Sequence, residues 1–241
     1  MTSRRERARV RWDRSLTVLR APRVRIAMYG DEEVRAAYKA FTARHRVFKM
    51  TSAKRWGVAL VKLPSTFDEY LSGSLMTAVR GQRRKAEKAG YRFALVSPKE
   101  HLDEILAINR SSPTRQGRTM NASYLDPDQV ARAFESRDQI AWILDAEGRL
   151  RAYADVPVFG DLFVFSRILG HSDDLDKGIM YLLVSEVIRT YIEAARRPGP
   201  SPTWAFYDTF WGASSGLAYF KERFGFRPFT VDWVWQEETA G

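Results

Sequence analysis

The sequence predicts an α/β (α+β) fold, with a mixed central sheet flanked by helices, on three observations. A strand-like run, Leu162 to Leu169, passes through an acidic turn, Gly170 to Gly178, into a long helix. In that helix Met180, Leu183, Val184, Val187, Ile188, Tyr191 and Ala195 recur at three- and four-residue steps, which makes one face apolar throughout. A second strand (Thr203 to Tyr207), a shorter helix and a last strand (Phe229 to Trp235) then alternate to the end. In such an order the turn after a strand is where ligands usually bind.

Taken in order, Val24 to Tyr29 reads as a strand and Asp31 to Phe41 as a helix opened by an acidic cap. Arg46 to Met50 and Trp56 to Leu63 read as paired strands. Phe67 to Ala89 reads as one helical region, with Leu71, Leu75, Ala78, Val79, Gln82 and Ala86 along one side. Its other side carries Arg80, Arg83, Arg84 and Lys88, and Gly90 ends it. Tyr91 to Val96 is a short strand and His101 to Asn109 a helix. The polar segment Ser111 to Ser123, with Pro113, Arg115, Gly117 and Arg118, is a long loop and therefore a substrate-loop candidate. A helix over Asp126 to Phe134, with Pro127 in its first turn, precedes a hairpin of Ile140 to Leu144 and Leu150 to Val158. Near the end, Leu217, Phe220 and Phe224 mark the apolar side of the shorter helix, and Gly225 is placed to cap it with Phe226 folding back.

Composition narrows the function classes. Zero cysteines exclude disulfides, thiolate metal sites and a cysteine nucleophile, and three scattered histidines argue against a zinc cluster, so no metal is expected. No apolar run reaches membrane-spanning length and the first residues lack the apolar segment of a secretory signal, so the reading is cytoplasmic with no membrane partner. The formal charge of +10 is localised: Met1 to Arg25 carries +7 and Arg80 to Arg92 carries +5, leaving −2 for the rest. Charge concentrated this way suits a polyanionic partner, although a solvated arm and a solvated helix face would carry it equally. The organisation expected is a basic arm (1–21), an N-terminal subdomain (22–89) ending in the basic helix, and a main domain (90–241).

From residue 91 onward the element order resembles the acyltransferase fold of the GCN5-related N-acetyltransferases (GNAT), over roughly residues 91 to 236. Two motifs are similar to those of the Fem-type aminoacyl-tRNA-dependent transferases. Gly216-Leu217-Ala218-Tyr219-Phe220-Lys221-Glu222-Arg223-Phe224-Gly225 resembles their G-L-x-x-F-K-x-x-F-G ending. Arg80 to Gly90 resembles their R-x-x-x-R-K-A-x-K-x-G helix. Fem-type enzymes carry two copies of the fold, so residues 22–89 would be a reduced first half. Acetyl-CoA enzymes of the wider family carry a glycine-rich pyrophosphate loop before the long helix. Here that position reads Ser172-Asp173-Asp174-Leu175-Asp176-Lys177-Gly178, with one glycine left and three aspartates that would repel phosphates.

What the resemblance implies is an N-acyltransferase with no tightly bound cofactor, moving an aminoacyl group from aminoacyl-tRNA to an amine of a small molecule or peptide. Acyl-CoA is the alternative donor, and a non-catalytic RNA-binding protein the alternative class. In this fold the strands Leu162–Leu169 and Thr203–Tyr207 should part to admit the reacting groups. By motif position Lys221 would lie near the donor as a positive group; on the pattern alone it is equally an exposed lysine. His171, beside Asp173, Asp174 and Asp176, is placed to take a proton, yet an N-cap with solvated carboxylates accounts for the same residues. Asp155 and Tyr207 complete the catalytic candidates. Asp155 and Arg167 fall in adjacent strands as a cross-strand pair or a substrate clamp, with Tyr153 on the face of Asp155. Asp208 and Trp211 sit where the strands should splay, and Arg115 and Arg118 on the loop. These, with Arg167 and Tyr153, are the substrate-binding candidates. Arg80, Arg83, Arg84 and Lys88 would form a cationic ridge for the tRNA backbone.

Overall fold

The structure, a computed structural model, describes residues 20–44, 52–115, 118–199, 201–211 and 213–237, with the side chain of Arg118 excepted. The chain runs β1 (Arg23–Met28), α1 (Glu32–Thr42), β2 (Val58–Lys62), α2 (Phe67–Leu71), a 3-10 turn (Ser74–Met76), α3 (Thr77–Lys88), β3 (Arg92–Val96) and α4 (Leu102–Arg110). It continues through β4 (Thr114–Arg115), β5 (Arg118–Thr119), α5 (Pro127–Phe134), β6 (Ile140–Leu144), β7 (Leu150–Asp155), β8 (Val158–Phe159), β9 (Leu162–Val164) and β10 (Arg167–Gly170). A 3-10 turn (Ser172–Lys177), α6 (Ile179–Ala194), β11 (Trp204–Thr209), α7 (Ser215–Arg223) and β12 (Arg227–Trp235) complete it. The strand expected over Arg46 to Met50 and all but the last residues of the basic arm lie outside the described residues.

These elements form two compact units interleaved along the chain, where consecutive blocks were expected. The first takes in the described residues of Met1–Lys62, Val158–Val164 and Pro198–Gly241; the second those of Leu63–Pro157 and Phe165–Arg197.

The first unit is a six-stranded mixed sheet in the order β1-β12-β2-β11-β9-β8. β1 runs parallel to β12, and β9 parallel to β11. Period-2 alternation sends Ile26 and Met28, Val58 and Leu60, Leu162 and Val164, and Val231 and Trp233 into one core. Each such side chain contributes about 1.5–3 kcal/mol on full burial. Helix α1 begins where the Asp31 carboxylate accepts from Val34 N–H at 3.1 Å. It lays Phe41 over Phe206 and Trp233, with ring centroids 5.2 and 5.0 Å apart.

The second unit is an antiparallel sheet in the order β10-β7-β6-β3. Trp142 and Tyr153 anchor its core with Ile105, Ile108, Val130, Phe134 and Leu169. Both large aromatics bury a polar tip without leaving it unmet: the Trp142 indole N–H donates to Val96 O, and the Tyr153 hydroxyl to Asn109 Oδ1. α6 is the expected long helix, buried through Ile179, Leu182, Leu183, Val184, Val187, Ile188 and Ile192.

Two expected elements are divided in the structure. The helical region over 67–89 breaks at Ser72-Gly73, where Gly73 adopts φ +81, giving α2 and α3 with a 3-10 turn between. The strand run over 162–169 also divides, into β9 and β10. β9 pairs with β11 for three residues, Leu162↔Trp204 to Val164↔Phe206, and the ladder then ends. β10 pairs instead with β7 of the second unit, Arg167↔Asp155 to Gly170↔Ala152. Of the run Leu162–Leu169, only Leu162–Val164 is thus paired with Trp204–Phe206.

Candidate functional site

In the first unit, β11 is irregular on both sides at the same place. Pairing with β9 stops at Phe206, and the register against β2 shifts between Phe206↔Leu60 and Thr209↔Val58. Tyr207 and Asp208 together stand against the single residue Ala59, and bulges of this kind re-aim side chains. Asp208 is the one non-glycine residue among those described with positive φ, at 55°. A left-handed conformation costs an ordinary L-residue about 1–2 kcal/mol, and aspartate is among the few that adopt it readily. Its carboxylate forms an ion pair with Lys54.

Lys221 reaches this bulge from α7. The sequence pattern put Leu217, Phe220 and Phe224 inward. The helix instead buries Ala218, Lys221 and Phe224, with Leu217 and Phe220 only half-buried. Lys221 is 0% exposed, so the solvated-lysine reading of this position is overturned. Its Nζ donates to Thr209 O at 2.8 Å and lies 4.9 Å from the Tyr207 ring centroid and 5.7 Å from that of Phe210. Burial is the main force lowering its pKa, to about 8; Asp208 opposes that shift and Lys54 adds to it.

The geometry of α7 holds this arrangement at both ends. Ser214 Oγ accepts from Leu217 N–H at 3.3 Å as the N-cap. At the other end Gly225 (φ +81) closes a Schellman turn, with Phe226 N–H donating to Lys221 O and Gly225 N–H to Glu222 O, each at 3.1 Å. Phe226 is fully buried against Tyr207, at 5.9 Å between centroids. Trp211 follows the bulge but is 47% exposed, and its backbone carbonyl accepts from the Thr209 hydroxyl.

The remaining candidates lie in the second unit. Asp155 stands opposite Arg167 in the strand register, as expected. Its carboxylate, however, accepts from Arg137 Nε at 2.8 Å, so the ion pair is made by a residue the pattern did not single out. Tyr153 is buried, and burial raises its hydroxyl pKa far above the usual value. Arg115 and Arg167 both rest against Tyr124, and Arg118 is described only by its backbone. His171 caps the 3-10 turn, its Nδ1 accepting from Asp173 N–H at 3.4 Å.

Of the three aspartates in that turn, Asp174 is 2% exposed. It accepts from Arg151 Nε, from Lys177 Nζ at 2.6 Å and from the Tyr91 hydroxyl at 2.9 Å. Burial alone would raise its pKa, and the bonds from Lys177, Arg151 and Tyr91 outweigh that and hold it low. Three aspartates were expected to repel phosphate here, and one of them is internally neutralised. Gly178, the glycine that survives from the phosphate-loop pattern, has φ +86 and passes so close to the Gln82 carbonyl that a Cβ would collide with it.

The basic helix is also less uniform than its sequence. Arg83 is 8% exposed and turns inward to Glu186 Oε1 at 2.5 Å and Ser185 Oγ at 2.9 Å. Arg80 closes the end of α2 by donating to the Leu71 and Gly73 carbonyls. Arg84 and Lys88 stay exposed, and Lys85 Nζ donates to Asp176 O at 2.6 Å. No group of three or more potential metal ligands occurs among the described residues, and no helix there is long and apolar enough to cross a membrane.

No protein-family model matches the chain, and no curated protein matches its sequence. Solved structures do. FemX aligns with a TM-score of 0.55 at 12% identity, over 72% of this chain and 59% of that one. L-PGS from Bacillus licheniformis aligns with a TM-score of 0.50 at 18% identity, over 71% and 57%. The chain thus spans less than three-fifths of the length of either structure. At these identities the shared property is the architecture: this chain has the mixed α/β fold seen in FemX and in L-PGS.

Proposed function

We propose that the chain is an N-acyltransferase that moves an aminoacyl group from aminoacyl-tRNA to an amine. The observation that carries this reading is Lys221: a fully buried ammonium, pKa lowered to about 8, held on the Thr209 carbonyl at the β11 bulge. It occupies the lysine position of the Fem-like motif. In the transfer the acceptor nitrogen attacks the ester carbonyl, negative charge develops on the carbonyl oxygen, and the C–O bond to the tRNA ribose breaks. The proton lost by nitrogen ends on the ribose oxygen. A cation kept out of water acts strongly on such charge, because little solvent screens it and no reorganisation is needed. Near neutral pH, Lys221 is mostly protonated, the state this role requires. Arg84 and Lys88, exposed on α3, would serve the tRNA backbone.

A second reading, acyl-CoA as donor, gains from one observation. Asp174 is neutralised by Arg151, Lys177 and Tyr91, so the turn before α6 repels phosphate less than its sequence suggests. Pooled charged tRNAs and a labelled acyl-CoA, offered in parallel with a panel of amines, separate the two donors. Labelled acceptor from charged tRNA, lost in Lys221→Met, is the expected result. Label from acyl-CoA alone would move the assignment to the second donor, and label from neither would overturn acyl transfer.

A further inference from the structure

The polar loop after α4 brings two arginines of the second unit onto one tyrosine. The Arg115 guanidinium carbon lies 4.9 Å from the Tyr124 ring centroid. That of Arg167, on β10, lies 4.6 Å from the same centroid and 5.8 Å from that of Phe134. The platform is fixed from beneath. Asn109 Nδ2 donates to the Tyr124 carbonyl at 2.8 Å and receives the Tyr153 hydroxyl on Oδ1 at 2.7 Å, and Asn109 and Tyr153 are both fully buried. Arg115 is held in turn by donating to Ile168 O at 3.1 Å.

Arg167 Nη1 is buried and has no hydrogen-bond partner. Among the described residues neither arginine is in an ion pair. The carboxylate opposite Arg167, that of Asp155, is engaged by Arg137 instead. Aromatic faces offset part of the cost of two neighbouring cations, but they supply no acceptor for the guanidinium N–H groups. Native structures rarely leave a buried charged donor unmet without a reason.

We propose that Arg115 and Arg167, stacked on Tyr124, bind an oxyanion, the carboxylate or phosphate group of a ligand. The planar guanidinium fork meets either group through paired N–H···O bonds, which a lysine does not reproduce. This site stands independently of Lys221 and of the donor that the transfer uses.

The test titrates the full chain with sodium acetate and, separately, inorganic phosphate at matched ionic strength in chloride, following the arginine side-chain resonances by NMR. At least one anion should shift the Arg167 guanidinium signals saturably, and which one does so names the ligand's group. Affinity should fall roughly tenfold in Arg167→Lys, which keeps the charge and loses the fork. No saturable response to either anion, or equal affinity in Arg167→Lys, would overturn the site. Should that variant fail to fold, Arg115→Gln, at the half-buried end of the two-residue strand β4, decides: weaker binding supports the proposal and unchanged binding overturns it.

Discussion

Two buried charges, one in each unit, are treated in opposite ways. Asp174 is 2% exposed and is met by a guanidinium, an ammonium and a phenol, so its charge is balanced where it lies. Lys221 is 0% exposed and has a backbone carbonyl, two aromatic faces and, among the described residues, no carboxylate in direct contact. Burial without a partner disfavours the charged form, and that is why the two groups shift as they do. Asp174 is held in its charged state, whereas Lys221 is pushed toward losing its charge. The first arrangement serves stability. The second opposes it, a cost that the role proposed for Lys221 accounts for.

Replacing the two residues should therefore have opposite consequences. Lys221→Met should lower acyl transfer by about 10²–10³-fold, the range for loss of one preorganised donor to a developing oxyanion. The same change should leave stability unchanged or raise it by about 1–3 kcal/mol, since an apolar side chain replaces an unpaired buried cation. Denaturant titration beside the transfer assay checks both halves. Loss of stability together with activity would make Lys221 an ordinary structural residue. Asp174→Asn should cost about 3 kcal/mol, because Arg151 and Lys177 lose their counter-charge.

Their pH responses sharpen the contrast. The folded pKa of Asp174 lies below its unfolded value, so its contribution is complete above about pH 4 and is lost as pH falls through the folded value. Lys221 is also lowered, but as a cation: between about 8 and 10.4 the unfolded chain binds the proton that the folded chain has released. Across that window the stability of the wild type relative to Lys221→Met should therefore rise with pH, the comparison cancelling the tyrosines that ionise there in both chains.

Smaller effects concern α3 and the β11 bulge. Arg84→Gln with Lys88→Gln should weaken tRNA binding and flatten its logarithmic salt dependence by roughly one for each phosphate that is no longer neutralised. Arg83→Gln, by removing a buried partner of Glu186, should act on stability instead. Asp208→Gly should be more stable than Asp208→Ala by about 1 kcal/mol, since both lose the Lys54 pair and only alanine keeps the left-handed strain.

Much of the scaffold was legible because periodicity reports burial. The long helix α6, the α1 cap at Asp31, the pairing of the 140–144 and 150–155 strands and the glycine stop at Gly225 stand where the pattern put them, while the α6 face is turned, with Ile179, Leu182 and Ile192 buried and Ala195 exposed. The division of the run over 162–169 was not legible as a boundary. The apolar run continues unbroken from Leu162 through Phe165, and only partner choice assigns Leu162–Val164 to one sheet and Arg167–Gly170 to another. The inward turn of Lys221 escaped for a similar reason. Three large apolar residues outvoted the Ala218–Lys221 spacing, although a buried lysine is what distinguishes this helix. Arg137, Lys54 and Tyr124 left no signal at all, since each acts through a neighbour distant in sequence.

The most direct measurement is the titration of the Lys221 side chain, followed by NMR of labelled lysine and assigned by its disappearance in Lys221→Met. A midpoint near 8, well apart from lysines that titrate at about 10.4, is the predicted result. A midpoint with the other lysines would mean that the ammonium is solvated, and the site built around it would fall.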